Sequence, residues 1–235
     1  MISHPSHSRG QANHGWLKSR HTFSFAGYYD PQRMNFGALR VLNDDLVEGG
    51  NGFGTHPHRD MEIISIPLHG TLKHQDSEGN MGLIKKGEVQ IMSAGTGITH
   101  SEENASHDDQ VKFLQIWVMP KKLGITPRYG QKEFGFNDNT ETLVISPDGR
   151  DGSLVINQDA FFTIANMDAG KTIDYKVKIP GNGLYIFVLD GSIEVNDTQI
   201  KSRDALGIPV LQDAKIKVIA KSEVLLMEVP MKGFN

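Results

Sequence analysis

Between Thr172 and Ile179 the apolar residues Ile173, Tyr175, Val177 and Ile179 alternate with Asp174, Lys176 and Lys178. A period of two puts one set on a single face, so this stretch is expected to be a half-buried β-strand over 172–179. Short apolar runs predict further strands at Glu62–Leu68, Glu88–Met92, Lys112–Met119, Leu154–Asn157 and Phe161–Asn166. Others are expected at Leu184–Leu189, Ser192–Val195, Ile216–Ile219 and Val224–Val229. No window of twelve residues carries a 3.6-residue apolar period. Glycines such as Gly70, Gly79, Gly87, Gly181 and Gly191 stand between the runs. Many short strands separated by turn residues predict an all-β barrel or sandwich.

Two segments read as copies of one unit. Leu68-His69-Gly70-Thr71-Leu72 is followed by a turn, Leu83-Ile84, Lys86-Gly87-Glu88 and an apolar strand. Leu189-Asp190-Gly191-Ser192-Ile193 is followed by a turn, Ile200, Arg203-Asp204-Ala205-Leu206 and another apolar strand. The order of elements matches as well as the glycines, which points to duplication. The expected division is 1–130 and 131–235, with the Gly-, Asn-, Asp- and Pro-rich stretch around Gly124–Asp151 as the connection.

Composition narrows the class. The 235 residues are 38% apolar with 25 glycines, enough for a packed core. Twenty-four basic against 28 acidic residues give a net charge of −4 with no long basic run, which argues against nucleic acid or an anionic membrane surface. The longest nearly apolar stretch, Phe113–Met119, is too short to span a bilayer, and the polar Met1–Gly10 does not read as a signal peptide. With no Cys there is no disulfide, no thiolate nucleophile and no Cys-ligated metal. A cytoplasmic protein is expected.

All ten histidines lie at or before His107, so only the first copy can hold a histidine site. Two pairs stand out, His56-Pro57-His58 and His100-Ser101-Glu102. Along a strand, residues i and i+2 share a face, and this parity selects Glu102 over Glu103. On facing strands the pairs would set three imidazoles and one carboxylate around one point. That donor set suits a divalent transition metal and leaves room for water or substrate. His69, His74 and His107 read as surface or loop residues, and His4, His7, His14 and His21 as an N-terminal arm. Carrying the hairpin offset back along the chain matches His56 and His58 with Val177 and Ile179, and His100 and Glu102 with positions near Lys217 and Ile219. Apolar residues in those places predict a second barrel with a packed interior.

These residues resemble a known family. Gly50-x5-His56-x-His58-x3-Glu62, Gly70, and Gly87 through His100 are similar to the two cupin motifs. Thr55-His56-Pro57-His58-Arg59 and Ser93-Ala94-Gly95-Thr96-Gly97-Ile98-Thr99-His100-Ser101-Glu102 resemble the pirin family. So do Asn13-His14-Gly15-Trp16-Leu17, His21-Thr22-Phe23-Ser24-Phe25 and Gly124-Ile125-Thr126-Pro127-Arg128-Tyr129. The likeness spans essentially the whole chain and is nearest to bacterial members described as quercetin 2,3-dioxygenases. It implies an all-β bicupin, two jelly-roll-like β-barrels face to face, with one metal in the N-terminal barrel held by His56, His58, His100 and Glu102. Many other cupins take the carboxylate from the first motif, here Glu62, which the pirin pattern leaves in a supporting or structural role. Fe(II) is the expected metal, with manganese, nickel, copper, cobalt or zinc as alternatives.

The implied reaction opens a flavonol such as quercetin with O2 and loss of carbon monoxide. Glu102 acts as the base towards the flavonol 3-hydroxyl, and Phe53 is a candidate wall for the planar ring. Small aromatic substrate and O2 are the expected partners of a monomer. Two rivals stand beside this reading. One is a metal-binding regulatory protein acting through a protein partner. The other is a cupin isomerase on a small polar substrate, which would favour a cavity lined by Lys, Arg and Asn.

Overall fold

The computed structural model describes residues 1–210 and 213–233, and its regular structure is almost all strand. In the first half, a seven-stranded antiparallel sheet runs in the order Arg128–Glu133, Glu88–Ser93, Glu62–His69, Val111–Val118, Leu39–Val47, Leu17–His21 and Gly10–Asn13. A four-stranded sheet, Gly52–His58, Ile98–Asn104, Thr71–Asp76 and Met81–Lys85, closes over one face of it. Eight strands of the second half and Ile2–His4 from the N-terminus form a nine-stranded sheet that folds into the other barrel.

Burial explains the sequence patterns. In Glu62–His69 the run from Glu62 to Pro67 is continuously buried because it lies mid-sheet between two neighbours, and Pro67 sits where the pairing with Val111–Val118 shifts register. The outer face of the seven-stranded sheet packs onto the second half. Leu39, Ile64 and Leu114 join Phe162, Tyr185 and Leu225 in one core. The two barrels therefore meet face to face, as the all-β bicupin expectation requires.

The barrel interiors differ. Ile173, Tyr175, Ile186, Val195, Ile216, Val218 and their neighbours fill the second with one apolar cluster. In the first, the apolar interior is split. Leu17, Val47, Leu72, Ile84, Val111 and Phe113 occupy one end, and Ile63, Met92, Ala94 and Ile98 the other. Buried polar residues, among them Ser65, His74, Gln90, His100, Glu102 and Gln115, are also enclosed in this half.

Several local expectations change. The alternating strand stops at Lys176, because Glu228, buried in the next barrel wall, accepts the backbone N–H groups of Lys178 and Ile179 at 3.0 and 2.9 Å. Val177 and Ile179 are only half-buried. Ile173 faces Ile216 as His56 faces His100, and Ile173 and Tyr175 are the buried residues of their strand, so register and parity match His56, His58, His100 and Glu102 with Ile173, Tyr175, Ile216 and Val218. The hairpin offset does not extend backwards, since the connection after Lys176 is longer than the one after His58. The second barrel is packed as expected, with different residues.

Two pairs of expected strands are single bent ones, Asn182–Val195 and Asp213–Pro230, with register shifts on either side of Gly191 (φ 88°). The N-terminal segment is no loose arm. Ile2–His4 pairs with Ala205–Ile208 of the second half, and His4 and His21 are buried. Among the described residues, no helix is long and apolar enough to cross a membrane.

Candidate metal centre

The four-stranded sheet carries the expected site residues. His56 and His58 alternate with exposed Thr55 and Pro57, so both rings point inward from one strand. His100 stands directly opposite His56 on the neighbouring strand. Beyond it the register shifts, and Glu102 faces Phe53 rather than Gly54. The strands approach closely there: a Cβ on Gly52 would lie 2.5 Å from the Glu102 carbonyl oxygen. The imidazole centroids of His56, His58 and His100 are 4.4–4.9 Å apart. One nitrogen from each lies within 4.8 Å of the other two.

Their protonation suits a cation. His56 Nδ1 is 2.8 Å from the Gly54 carbonyl oxygen and donates to it, so Nε2 is the nitrogen turned to the other two rings in reach of a ligand role. Burial, reinforced by His56, pushes the His58 pKa down to about 4. Burial and the neighbouring imidazoles push that of His100 down to about 2. The buried Nε2 of His100 has no partner in the protein. Three converging imidazoles, with His58 and His100 held neutral by burial and one buried nitrogen left without a partner, are a donor set for a borderline divalent metal, so these residues fit such an ion.

Glu102 is 3% exposed, with Ser65 Oγ donating to one carboxylate oxygen at 2.7 Å and Gln115 Nε2 donating to the other. Burial pushes its carboxyl pKa up, against the Ser65 hydrogen bond. It groups within 4.8 Å with His100 and His74. Thus two ligand-type groups meet at His100. His74, expected at the surface, is 0% exposed, whereas His69 and His107 are exposed as anticipated. The missed signal was parity: Leu72, His74 and Asp76 are buried in alternation with exposed Lys73 and Gln75. Glu62 does not line the site. Its carboxylate holds Ser93 Oγ and the Asn157 backbone N–H.

His56, His58 and Glu102 border a cavity of about 60 Å³ with Phe53, Gln115 and Trp117. It shares Phe25, Asn43, Asp45 and Phe53 with a cavity of about 350 Å³ that reaches Trp16 and His21. Trp117 sets its edge against His58 and Phe25, with centroids at 4.9 and 5.4 Å. Among the described residues neither cavity is lined by Lys or Arg. The walls are aromatic, with acceptors at Asn43, Asp45 and Gln115. This favours a planar ligand bearing hydroxyl donors over a small anion. A larger cavity, about 590 Å³, lies between the two halves against Phe134, Leu189, Arg203 and Glu223, away from the histidines.

Residues 3–118 match the family model described as Pirin, and residues 143–229 that of the quercetinase C-terminal cupin domain. The chain is 47% identical over 226 residues to a quercetin 2,3-dioxygenase of Escherichia coli (strain K12), covering 96% of each. It is 40% identical over 227 residues to a pirin-like protein of Caulobacter vibrioides, covering 95% of this chain and 97% of that one. Its fold matches the crystal structure of a bacterial pirin from Escherichia coli in complex with nickel(II). That match has a TM-score of 0.93 and 46% identity, over 97% of this chain and 98% of the other.

Proposed function

The chain belongs to the pirin family, and from that premise we propose that it is a metal-dependent dioxygenase that opens a flavonol such as quercetin with O2. One divalent transition metal is held by His56, His58, His100 and Glu102, with Fe(II) the leading choice. The nickel(II) in the structure of a relative of 46% identity supports a divalent metal at this site. The observation that carries the reading is the buried, unpartnered Nε2 of His100 among three converging imidazoles, beside an aromatic-lined cavity that Glu102 also borders. When bound, the metal supplies Lewis acidity and a path for electrons to O2.

The chain's own residues do the rest. Phe53, Trp117 and Phe25 wall the narrow approach to the histidines, and the adjoining cavity of about 350 Å³ takes the planar ring. Glu102, made more basic by burial, takes the proton of the flavonol 3-hydroxyl, while Ser65 and Gln115 keep its carboxylate in place. The two cavities on the Phe53 side of the histidines hold no Lys or Arg, which supports an aromatic substrate there, while Arg59 borders a separate cavity at His58. A monomeric cytoplasmic enzyme is part of the same reading. The test is oxygen uptake with carbon monoxide release on adding quercetin to protein loaded with Fe(II), Ni(II), Mn(II), Co(II), Cu(II) or Zn(II) in turn. Stoichiometric consumption under at least one metal is expected. No consumption under any of them would overturn the dioxygenase reading.

A further inference from the structure

Three adjacent strands each aim an i,i+2 pair at the first barrel's interior: His56/His58, His100/Glu102 and His74/Asp76. The function proposed above uses the first two pairs. The third is wholly internal, with His74 0% and Asp76 8% exposed. His74 Nδ1 lies 3.5 Å from His100 Nδ1, and His74 Nε2 lies 3.3 Å from an Asp76 carboxylate oxygen. Asp76 is itself pinned, accepting the backbone N–H groups of Glu78 and Asn80 at 3.0 and 2.9 Å and the Asn80 side-chain amide at 3.0 Å. The His74 ring rests against that of Tyr129, with centroids 4.9 Å apart.

With Asp76 ionised and both rings uncharged, one arrangement of protons satisfies this chain. An ionised Asp76 can only accept, so His74 carries its hydrogen on Nε2 and donates it to Asp76. His74 Nδ1 is then an acceptor, and His100 must present Nδ1–H to it. That leaves the lone pair of His100 on Nε2, the buried nitrogen with no partner. Both His74 nitrogens are engaged within the protein, although its position beside His100 and Glu102 would suit a ligand.

We propose that His74 and Asp76 form a positioning pair that fixes the tautomer and ring angle of His100, so that its Nε2 faces the metal, and that His74 is not itself a ligand. The proposal rests on the metal reading above. A carboxylate or carbonyl behind a ligating imidazole is a general device, and its loss lowers metal affinity about 10–100-fold. Here the device has two links, a second imidazole and then the carboxylate.

The test titrates nickel(II) alone into chelator-stripped, full-length protein by calorimetry and records the cobalt(II) visible spectrum. Three variants are compared with the wild type: His74→Phe, Asp76→Asn and His56→Ala/His58→Ala. His74→Phe keeps a ring in the space without its nitrogens, and is expected to retain one nickel per chain with affinity reduced about 10–100-fold. Asp76→Asn keeps an acceptor for the turn amides. Its metal-free melting temperature should stay near that of the wild type, while nickel affinity falls several-fold and the cobalt spectrum shifts. A merely structural role would move melting and leave the spectrum alone. Wild-type affinity and spectrum in Asp76→Asn would overturn the proposal even if His74→Phe fails to fold. Complete loss of nickel from a folded His74→Phe would overturn it too, by making His74 a ligand. A wild type that takes no nickel, or a His56→Ala/His58→Ala protein that binds it undiminished, would instead sink the metal reading and the positioning role with it.

Discussion

Glu62 and Asn157, 95 residues apart, are joined by a hydrogen bond of 3.1 Å from the Asn157 backbone N–H to Glu62 Oε2. The same oxygen accepts Ser93 Oγ–H at 2.8 Å, and Glu62 is 1% exposed. The carboxylate of the first cupin motif thus ties the first barrel to the segment entering the second. Glu62→Gln should leave metal uptake intact and cost about 1–3 kcal/mol through a weakened buried acceptor. Thermal melting beside elemental analysis checks it, and loss of metal would return Glu62 to the site.

Glu102→Gln separates binding from base chemistry. The amide keeps an oxygen beside Ser65 but cannot accept the flavonol proton. Much of the metal should remain, while turnover falls about 10²–10⁴-fold. Metal content and oxygen uptake are measured on the same preparations. A fully active Glu102→Gln protein would remove the residue from the base role.

His56→Ala/His58→Ala removes two of the three converging imidazoles. Stoichiometry should drop from one metal per chain to none. The fold should persist, because His56 and His58 are half-buried at the edge of the four-stranded sheet rather than in an apolar cluster. Elemental analysis and circular dichroism give the two readouts.

Ile173→Ala probes the other barrel at the position equivalent to His56. Ile173 is 0% exposed within one continuous apolar cluster, so the change should cost about 2–5 kcal/mol. Metal content per folded chain should not change. A denaturant titration and elemental analysis decide it, and parallel loss of metal would contradict the separation of the two interiors.

His4 provides a pH dependence. It is 6% exposed, its Nδ1 lies 2.7 Å from Tyr185 Oη, and burial pushes its pKa down to about 4 from 6.5. The unfolded chain therefore gains a proton as pH falls through 6.5, while the folded chain resists until about 4. Stability from this group is present above 6.5 and lost progressively towards 4, by up to about 3 kcal/mol. Comparing His4→Gln with the wild type by urea unfolding at pH 7.5 and 4.5 isolates the effect. The wild type should lose more, and equal losses would mean His4 does not titrate with folding.

Local periodicity made much of this protein legible. Alternation and glycine punctuation implied an all-β chain, the placement of every histidine before residue 108 restricted the site to one half, and i,i+2 parity chose His56, His58, His100 and Glu102. Such patterns work because a strand's side chains alternate whatever lies next to it. They do not say which strands are neighbours or in what register. Only the folded chain set Thr71–Asp76 beside Ile98–Asn104, which turned His74 from an expected surface residue into the partner of His100. Only there did Glu228 end the strand at Lys176 and move the counterpart of His56 from Val177 to Ile173. Ile2–His4 likewise became an edge strand of the opposite half, 201 residues from the partner of its His4. Each of these depends on a contact between distant segments, and a contact of that kind has no local period to read.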